Sequence, residues 1–430
     1  MIISENREKV KRKAKKLILN RFSNLSKPET KFLLEMVMGM VISGSSNLSE
    51  IGRSLQEKTE LKHTTKRLSR MLEHCHLLDE CNRLTLSESG QKIDSETILA
   101  LDSGDVSHQY GEKFEHLGYV HDGSQGHKKT EKGYWLNQVS GYNPSTRETF
   151  PVLLDIYSVS EAGFKSANAE SLSLVSKVVN EVGYDGLWVM DRGYDNGTIL
   201  KYFLSHHLQF ALRMKDSRNL IVRGKSINIK EAAEGINRRV KYNEKCRFGS
   251  LKARLKLGYQ EYEVTLINFK DKRNKEPILL LCNGWIKSSR ELKRRIRSYF
   301  RRWGVEESYR FEKQGFGIEK CTIRKFSRIK TMIGLTLLSW MLLVKISESP
   351  KLKESVLKKA RMEKNKKKHR PKFIYYRLLK GVQNLFAGIK ELFRFRWKKK
   401  QKLQYCEELK KQRPLFNDLH LESDWLELAP

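Results

Sequence analysis

Two short apolar runs, each ending in an aspartate, constrain the fold of this chain more than any other feature. Thr97-Ile-Leu-Ala-Leu-Asp102 and Gly186-Leu-Trp-Val-Met-Asp191 are continuous apolar stretches of strand length. That is the pattern of central strands covered on both faces. Between them, Tyr110 to Lys132 is rich in Gly, His and Lys and reads as a mobile loop. Tyr134 to Gly141 and Phe150 to Tyr157 then read as a hairpin across Asn143-Pro144-Ser145. Leu172, Val175, Val179 and Val182 line one side of a helix that Gly183 is placed to stop. After Asp191 come Arg-Gly-Tyr-Asp195, a helix from about Gly197 to His206, and a strand from Gln209 to Arg213.

Strand, hairpin, helix, strand, helix, strand is the order of an RNase H-like sheet, so the expected fold class is α/β. In that fold the two strand-end aspartates lie on adjacent strands, while Asp105 and Asp195 are expected nearer solvent, capping helices or orienting neighbours. From Ser217 to about Lys275 the pattern turns β-rich, and Pro277-Ile-Leu-Leu-Leu-Cys282 returns to a buried strand. Leu292, Ile296, Phe300 and Trp303 then recur at spacings of four, four and three, which predicts an amphipathic helix with these four residues docking it. At about 100° per residue, Tyr299, Arg302, Glu306 and Lys313 fall within roughly 60° of one another on that helix. Arg302 and Glu306 alone would be an ordinary i,i+4 surface pair worth tenths of a kcal/mol. A carboxylate between two cations also suits a site that handles metal ions and phosphates.

Charge narrows the choice of partner. The 430 residues carry 84 Lys plus Arg against 50 Asp plus Glu, a formal charge of +34. A polyanion rewards this excess and a neutral partner does not require it. Lys351 to Lys400 alone holds 19 basic and 3 acidic residues. Within it Leu378, Val382, Leu385, Ile389 and Leu392 form a short a/d seam, open to packing on its own chain or between subunits. The N-terminal part reads as all helix. Asn47 to Leu55 and a helix that Thr64 caps are separated by a short break, with Lys66, Arg67 and Arg70 expected exposed on the second. Helix, turn, helix with a basic face suits a DNA reader, and equally a helical bundle with a solvated face. Six cysteines without framework spacing read as reduced, and His74-Cys75-His76 with Cys81 matches no common zinc spacing. Met332 to Val344 is too short to span a bilayer and reads as a core helix, so no membrane is expected.

Tyr299, two residues, Arg302, three, Glu306, six, Lys313 resembles the Tyr-Arg-Glu-Lys signature of the IS-four family of DDE transposases of bacterial insertion sequences. Leu101-Asp-Ser-Gly-Asp105 and Asp191-Arg-Gly-Tyr-Asp195 resemble its two aspartate motifs, and together the motifs cover roughly residues 97 to 320. The resemblance implies an RNase H-like catalytic core at 93–216 and 277–349, interrupted by a β-rich insertion at 217–276. It also implies an N-terminal helical DNA-binding domain at 1–92; the basic helical region at 350–430 follows the core. Asp102, Asp191 and Glu306 would hold two Mg²⁺ ions, for which Mn²⁺ substitutes. Tyr299, Arg302 and Lys313 would contact DNA near the scissile phosphate. Double-stranded DNA, both transposon ends and target, is the implied partner, bound by a homodimer in the cytoplasm at the nucleoid. Some members carry a tryptophan that stacks on a flipped base, at a place that falls near Ile278 here. Trp285 lies seven residues later, so it is either a DNA contact or a plug between insertion and core. A nuclease that does not join ends and an inactive DNA-binding regulator remain as other readings; the occupied acidic positions count against the regulator.

Overall fold

The computed structural model describes residues 2–19, 25–74, 77–108, 111–121, 130–238, 240–243, 246–271, 276–360 and 373–388. Five helices come first: α1 (Ile2–Leu19), α2 (Lys27–Ser43), α3 (Leu48–Leu55), α4 (Leu61–His74) and α5 (Leu78–Gly90). Ser26 and Glu29 form a capping box at the start of α2, and Gly44 ends it with φ 64. Helix α4 begins three residues before Thr64, which is buried inside it and donates its hydroxyl to Glu57 at 2.6 Å instead of capping. Lys66 and Arg70 are exposed, as expected, but Arg67 is not. Its guanidinium bridges Glu35 on α2 at 2.6 Å and Glu57 at 2.8 Å. The cause is Glu35: its side chain is 2% exposed, and a buried carboxylate needs a cation.

The strands form one mixed sheet. Strand β1 (Ile98–Ser107) is followed by β2 (Gly118–His121), β3 (Thr130–Asn143) and β4 (Glu148–Tyr157). The stretch expected to be a mobile loop therefore contains β2 and the start of β3; residues 122–129 lie outside the described residues. Helix α6 (Ala167–Val182) leads to β5 (Leu187–Met190), and α7 (Gly197–Ser205) leads to β6 (Phe210–Arg213). Strand β3 runs antiparallel to β1 and β4, while β5 is parallel to both β1 and β6. The order β4-β3-β1-β5-β6 puts the two aspartate strands, β1 and β5, side by side, as expected. The following strands, β7 (Asn219–Val222), β8 (Lys225–Asn228), β9 (Val240–Asn243), β10 (Cys246–Leu257) and β11 (Gln260–Asp271), with the short helix α8 (Ile229–Glu234), extend the same sheet. Strand β12 (Ile278–Asn283) joins them to β6.

After α9 (Ser289–Arg301) and α10 (Trp303–Gly315) comes α11 (Phe326–Ser347), around which N-terminal helices and the helices that follow it gather. It packs against α1, α2, α4, α5 and β4, and against α12 (Pro350–Ala360) and α13 (Ile374–Phe386). At 22 residues α11 is longer than its apolar run and is long and apolar enough to cross a membrane. It is buried along almost its whole length, so it is the core helix that the sequence led us to expect. Leu378, Val382 and Leu385 of the seam are buried on α13 against this chain, while Ile389 and Leu392 lie outside the described residues. Gly381 permits the contact of α12 with α13, since a Cβ there would lie 2.2 Å from the Val356 carbonyl. Arg7 on α1 donates to the Leu385 carbonyl at 2.7 Å, joining α1 to α13.

Arg67 therefore acts on stability before it acts on any ligand. Arg67→Met leaves the buried Glu35 with only Lys31, 3.5 Å away, and is expected to lower stability by about 1–3 kcal/mol in denaturant titration without DNA. Lys66→Gln and Arg70→Gln on the exposed face are expected to leave the midpoint unchanged. A wild-type midpoint for Arg67→Met would return Arg67 to the surface role.

Candidate active site

Register brings the two aspartates together. Strands β1 and β5 pair in parallel with Ile98 opposite Leu187 and Ala100 opposite Val189. Two residues further on, the same register sets Asp102 opposite Asp191, which directly follows β5; Asp102, expected to end its strand, lies in the middle of β1, which runs on to Ser107. Asp191 leaves β5 into a single 3₁₀ turn, Arg192–Tyr194, and caps it by accepting from the Gly193 N–H at 2.7 Å. The capping role expected of Asp195 thus falls to Asp191. Asp195 is 5% exposed rather than near solvent, and it accepts from Arg218 Nε at 2.6 Å and the Lys215 N–H at 2.8 Å. It orients the start of the next segment.

The helix carrying the four polar residues is not continuous. It breaks at Arg302, between α9 and α10. Trp303, expected to dock the helix, is 68% exposed at the start of α10, whereas Tyr299 is 6% exposed. At the junction Arg302 itself keeps right-handed helical backbone angles, φ −51 and ψ −31. Its Nη1 lies 3.2 Å from Asp102 Oδ2 and its Nη2 2.9 Å from Glu306 Oε1. Its buried Nε has no hydrogen-bond partner. Lys313, two turns past Glu306, pairs with Asp105 at 3.2 Å and with Glu319 at 3.0 Å.

Asp102, Asp191, Arg302, Glu306 and Lys313 all line one cleft of about 2120 Å³, together with Tyr309 and Asp105. Tyr299 does not line it and packs beside Phe300. Burial pushes the Asp102 carboxyl up to about 7; Arg302 opposes this, and the charges of Asp191 and Glu306 add to it. Among the described residues no three His, Cys, Asp or Glu side chains stand close enough to hold a metal as they are. The donor set nonetheless fits a hard divalent ion such as Mg²⁺ or Mn²⁺: three carboxylates line one cleft, and a guanidinium bridges two of them.

The remaining candidates lie elsewhere. Lys66, Arg67 and Arg70 are on α4, and none of them lines this cleft. Trp285 is 39% exposed outside the cleft, and its indole N–H donates to the Ala253 carbonyl of β10 at 3.0 Å. Lys252 and Arg254 each lie 5.8 Å from its ring. These contacts tie β10 to the turn before α9 and leave part of the ring exposed. Tyr309, Tyr194 and Glu319 were not singled out in the sequence. Tyr309 could have been, since i+3 from Glu306 shares its helix face.

A mixed α/β fold with a carboxylate-lined cleft at its sheet edge is thus defined. A family model described as "Transposase DDE domain" matches residues 93–342. The chain belongs to the transposase DDE domain family. No curated protein matches the sequence. Among solved structures, the chain is similar to a piggyBac transposase synaptic complex with hairpin DNA, with a TM-score of 0.47 and 12% identity over 96% of this chain and 83% of that one. It also matches Endonuclease V from Bacillus subtilis, with a TM-score of 0.26 and 9% identity over 59% of this chain and 95% of that one.

The raised Asp102 carboxyl fixes a sign. Unfolded, an aspartate titrates near about 3.9; folded, this one titrates at about 7. Between these values the folded state binds more protons, so stability falls as pH rises. Each tenfold change in acidity between the two states corresponds to about 1.4 kcal/mol. Asp102→Asn is expected to flatten the fall in melting temperature of the metal-free protein between about pH 4 and 7. An unchanged slope would remove Asp102 as its source.

Proposed function

We propose that this chain is the transposase of a bacterial insertion sequence of the IS-four, Tyr-Arg-Glu-Lys group, which cuts DNA at the element's ends and joins those ends to a target. The observation that carries this reading is the meeting of Asp102 and Glu306, far apart in sequence, on one guanidinium beside Asp191 in a single cleft. Asp102, Asp191 and Glu306 would hold Mg²⁺. Two such ions supply an activated water or 3′ hydroxyl for in-line attack on a phosphodiester and stabilise the leaving oxygen. The protein's part is to fix the carboxylates on two adjacent strands and a helix, and to offer cations to the phosphates.

Arg302 and Lys313 are the cations nearest that chemistry. Both are held by carboxylates, so each would exchange a protein partner for a phosphate when DNA enters. Tyr299, buried behind Arg302, would support that side chain rather than reach DNA first. Lys66 and Arg70 on α4 would read the element's end, and the basic tail would add affinity that does not depend on sequence. Two copies of the chain would bring two ends together, in the cytoplasm at the nucleoid. A nuclease that cuts without joining shares every feature of the cleft and differs only in its products.

One assay separates these readings: the purified chain with Mg²⁺ and DNA from the borders of its own element. Cleavage with strand-transfer products is expected; cleavage alone would favour the nuclease. Glu306→Gln is expected to abolish cleavage while leaving end binding near wild type, and wild-type cleavage by this variant would remove Glu306 from the site. Lys→Gln at Lys366, Lys367 and Lys368, which lie outside the described residues, is expected to weaken binding to all DNAs alike. The slope of log affinity against log salt should fall by up to about 0.9 for each phosphate that is no longer neutralised. An unchanged slope would show that these lysines touch no phosphate.

A further inference from the structure

We infer that Tyr309 is a positioning residue that sets the spacing between Asp102 and Glu306 through the backbone, leaving both carboxylates free. The inference rests on the reading that these carboxylates hold a divalent ion.

Besides the Lys313–Asp105 pair further along, two links join the Asp102 strand to the Glu306 helix. The first is Arg302, which grips Asp102 Oδ2 and Glu306 Oε1, the side-chain oxygens that an ion needs. When an ion binds there, this link is broken. The second is Tyr309, three residues after Glu306 and so beside it on α10. Its phenol donates to the main-chain carbonyl of Asp102 at 2.6 Å. The Leu136 carbonyl on β3, paired opposite Gly104, lies 3.4 Å from the same hydroxyl. This hydrogen bond uses no carboxylate oxygen and therefore survives the exchange of guanidinium for ion.

The ring is fixed as firmly as the hydroxyl. Tyr309 is 8% exposed, and it lies flat against β1 where the sequence has Gly104. A Cβ at Gly104 would stand 3.2 to 3.4 Å from three of its ring carbons. The Leu-Asp-Ser-Gly-Asp stretch thus puts the one residue without a side chain where the tyrosine crosses the strand. Ser103 braces the other side of Asp102, sharing a hydrogen bond of 2.8 Å with Tyr194 and donating to Asn137 at 2.6 Å. Asp102 is held by its backbone on both sides while its carboxylate faces the cleft. Supporting hydrogen bonds of this kind typically change metal affinity about 10- to 100-fold.

Two variants test the strut from opposite ends. Tyr309→Phe keeps the ring and removes the O–H; Gly104→Ala keeps the O–H and displaces the ring. Mn²⁺ is titrated into the full-length, DNA-free chain, and its affinity is read from the free-ion paramagnetic resonance signal and from the Mn²⁺-induced rise in melting temperature. Both variants are expected to weaken Mn²⁺ binding about tenfold, and to bind end DNA without metal as wild type does. A lowered melting temperature with wild-type Mn²⁺ affinity would make Tyr309 a packing residue and overturn the inference. Asp102→Asn, measured alongside, separates the two levels. If it abolishes Mn²⁺ binding while Tyr309→Phe does not weaken it, the strut fails and the metal reading stands. If Asp102→Asn binds Mn²⁺ as wild type does, or if wild type binds none, the metal reading falls and the strut with it.

Discussion

One guanidinium holds the candidate site together. Asp102, Asp191 and Glu306 are brought to one cleft by a sheet and a helix that are buried for reasons of their own, and carboxylates gathered in this way repel one another. Burial makes the conflict worse, which is why Asp102 is pushed up to about 7. Arg302 relieves it by contacting Asp102 and Glu306 at once. The same solution recurs around the cleft: Lys313 lies between Asp105 and Glu319, and Arg218 lies against Asp195. Asp102 and Glu306 already have a cation from the chain, while Asp191 accepts from the Gly193 N–H. The folded state can therefore form without metal or DNA, at the expense of occupying its own ligands.

Such a site needs a frame that does not yield, and the frame is made from N-terminal helices together with α11 to α13. Helix α11 runs through the core with α1, α2, α4 and α5 on some sides and α12 and α13 on others. Helix α5 packs on β4, so the N-terminal helices are continuous with the sheet that carries Asp102. Asn82 makes that junction specific: its amide donates to the Leu154 carbonyl at 2.9 Å and accepts from the Leu154 N–H at 3.1 Å. A pair of hydrogen bonds to an otherwise buried backbone fixes helix against strand in one register. Functional groups carried on such strands and helices hold their geometry better than groups on loops.

The strands and their order were legible because buried parallel strands have a simple signature. Leu99 to Leu101 and Leu187 to Met190 are apolar without interruption, and the chain can satisfy such runs only in the middle of a covered sheet. The pairing of Asp102 with Asp191 then followed from length alone, since both aspartates end runs of equal extent. The joint at Arg302 was not legible. A periodicity of four, four and three argues for one helix, and Trp303 looks like the next member of its apolar stripe. Periodicity measures where apolar residues fall in sequence, and it does not reveal that Trp303 is left exposed while Tyr299 is buried. Arg67 failed for a related reason: a basic residue on a helix face reads as exposed unless the buried Glu35, 32 positions earlier, is known to face it.

Arg302 serves two partners from within the helical run. Its pair with Glu306 is an i,i+4 contact along the helix, and its Nη1 reaches on to Asp102 of β1. The guanidinium thus lies between helix and strand, with its Nε buried and without a partner among the described residues. On the proposed reading, Asp102 and Glu306 would hold an ion with the oxygens that Arg302 now contacts, so the guanidinium would have to give them up. The freed guanidinium is still largely buried, so it cannot recover its hydration and must find another anion. A phosphate in the same cleft is the anion at hand. Metal and DNA are then coupled through one side chain: each makes room for, or creates the need for, the other, and the coupling is reciprocal by thermodynamic necessity.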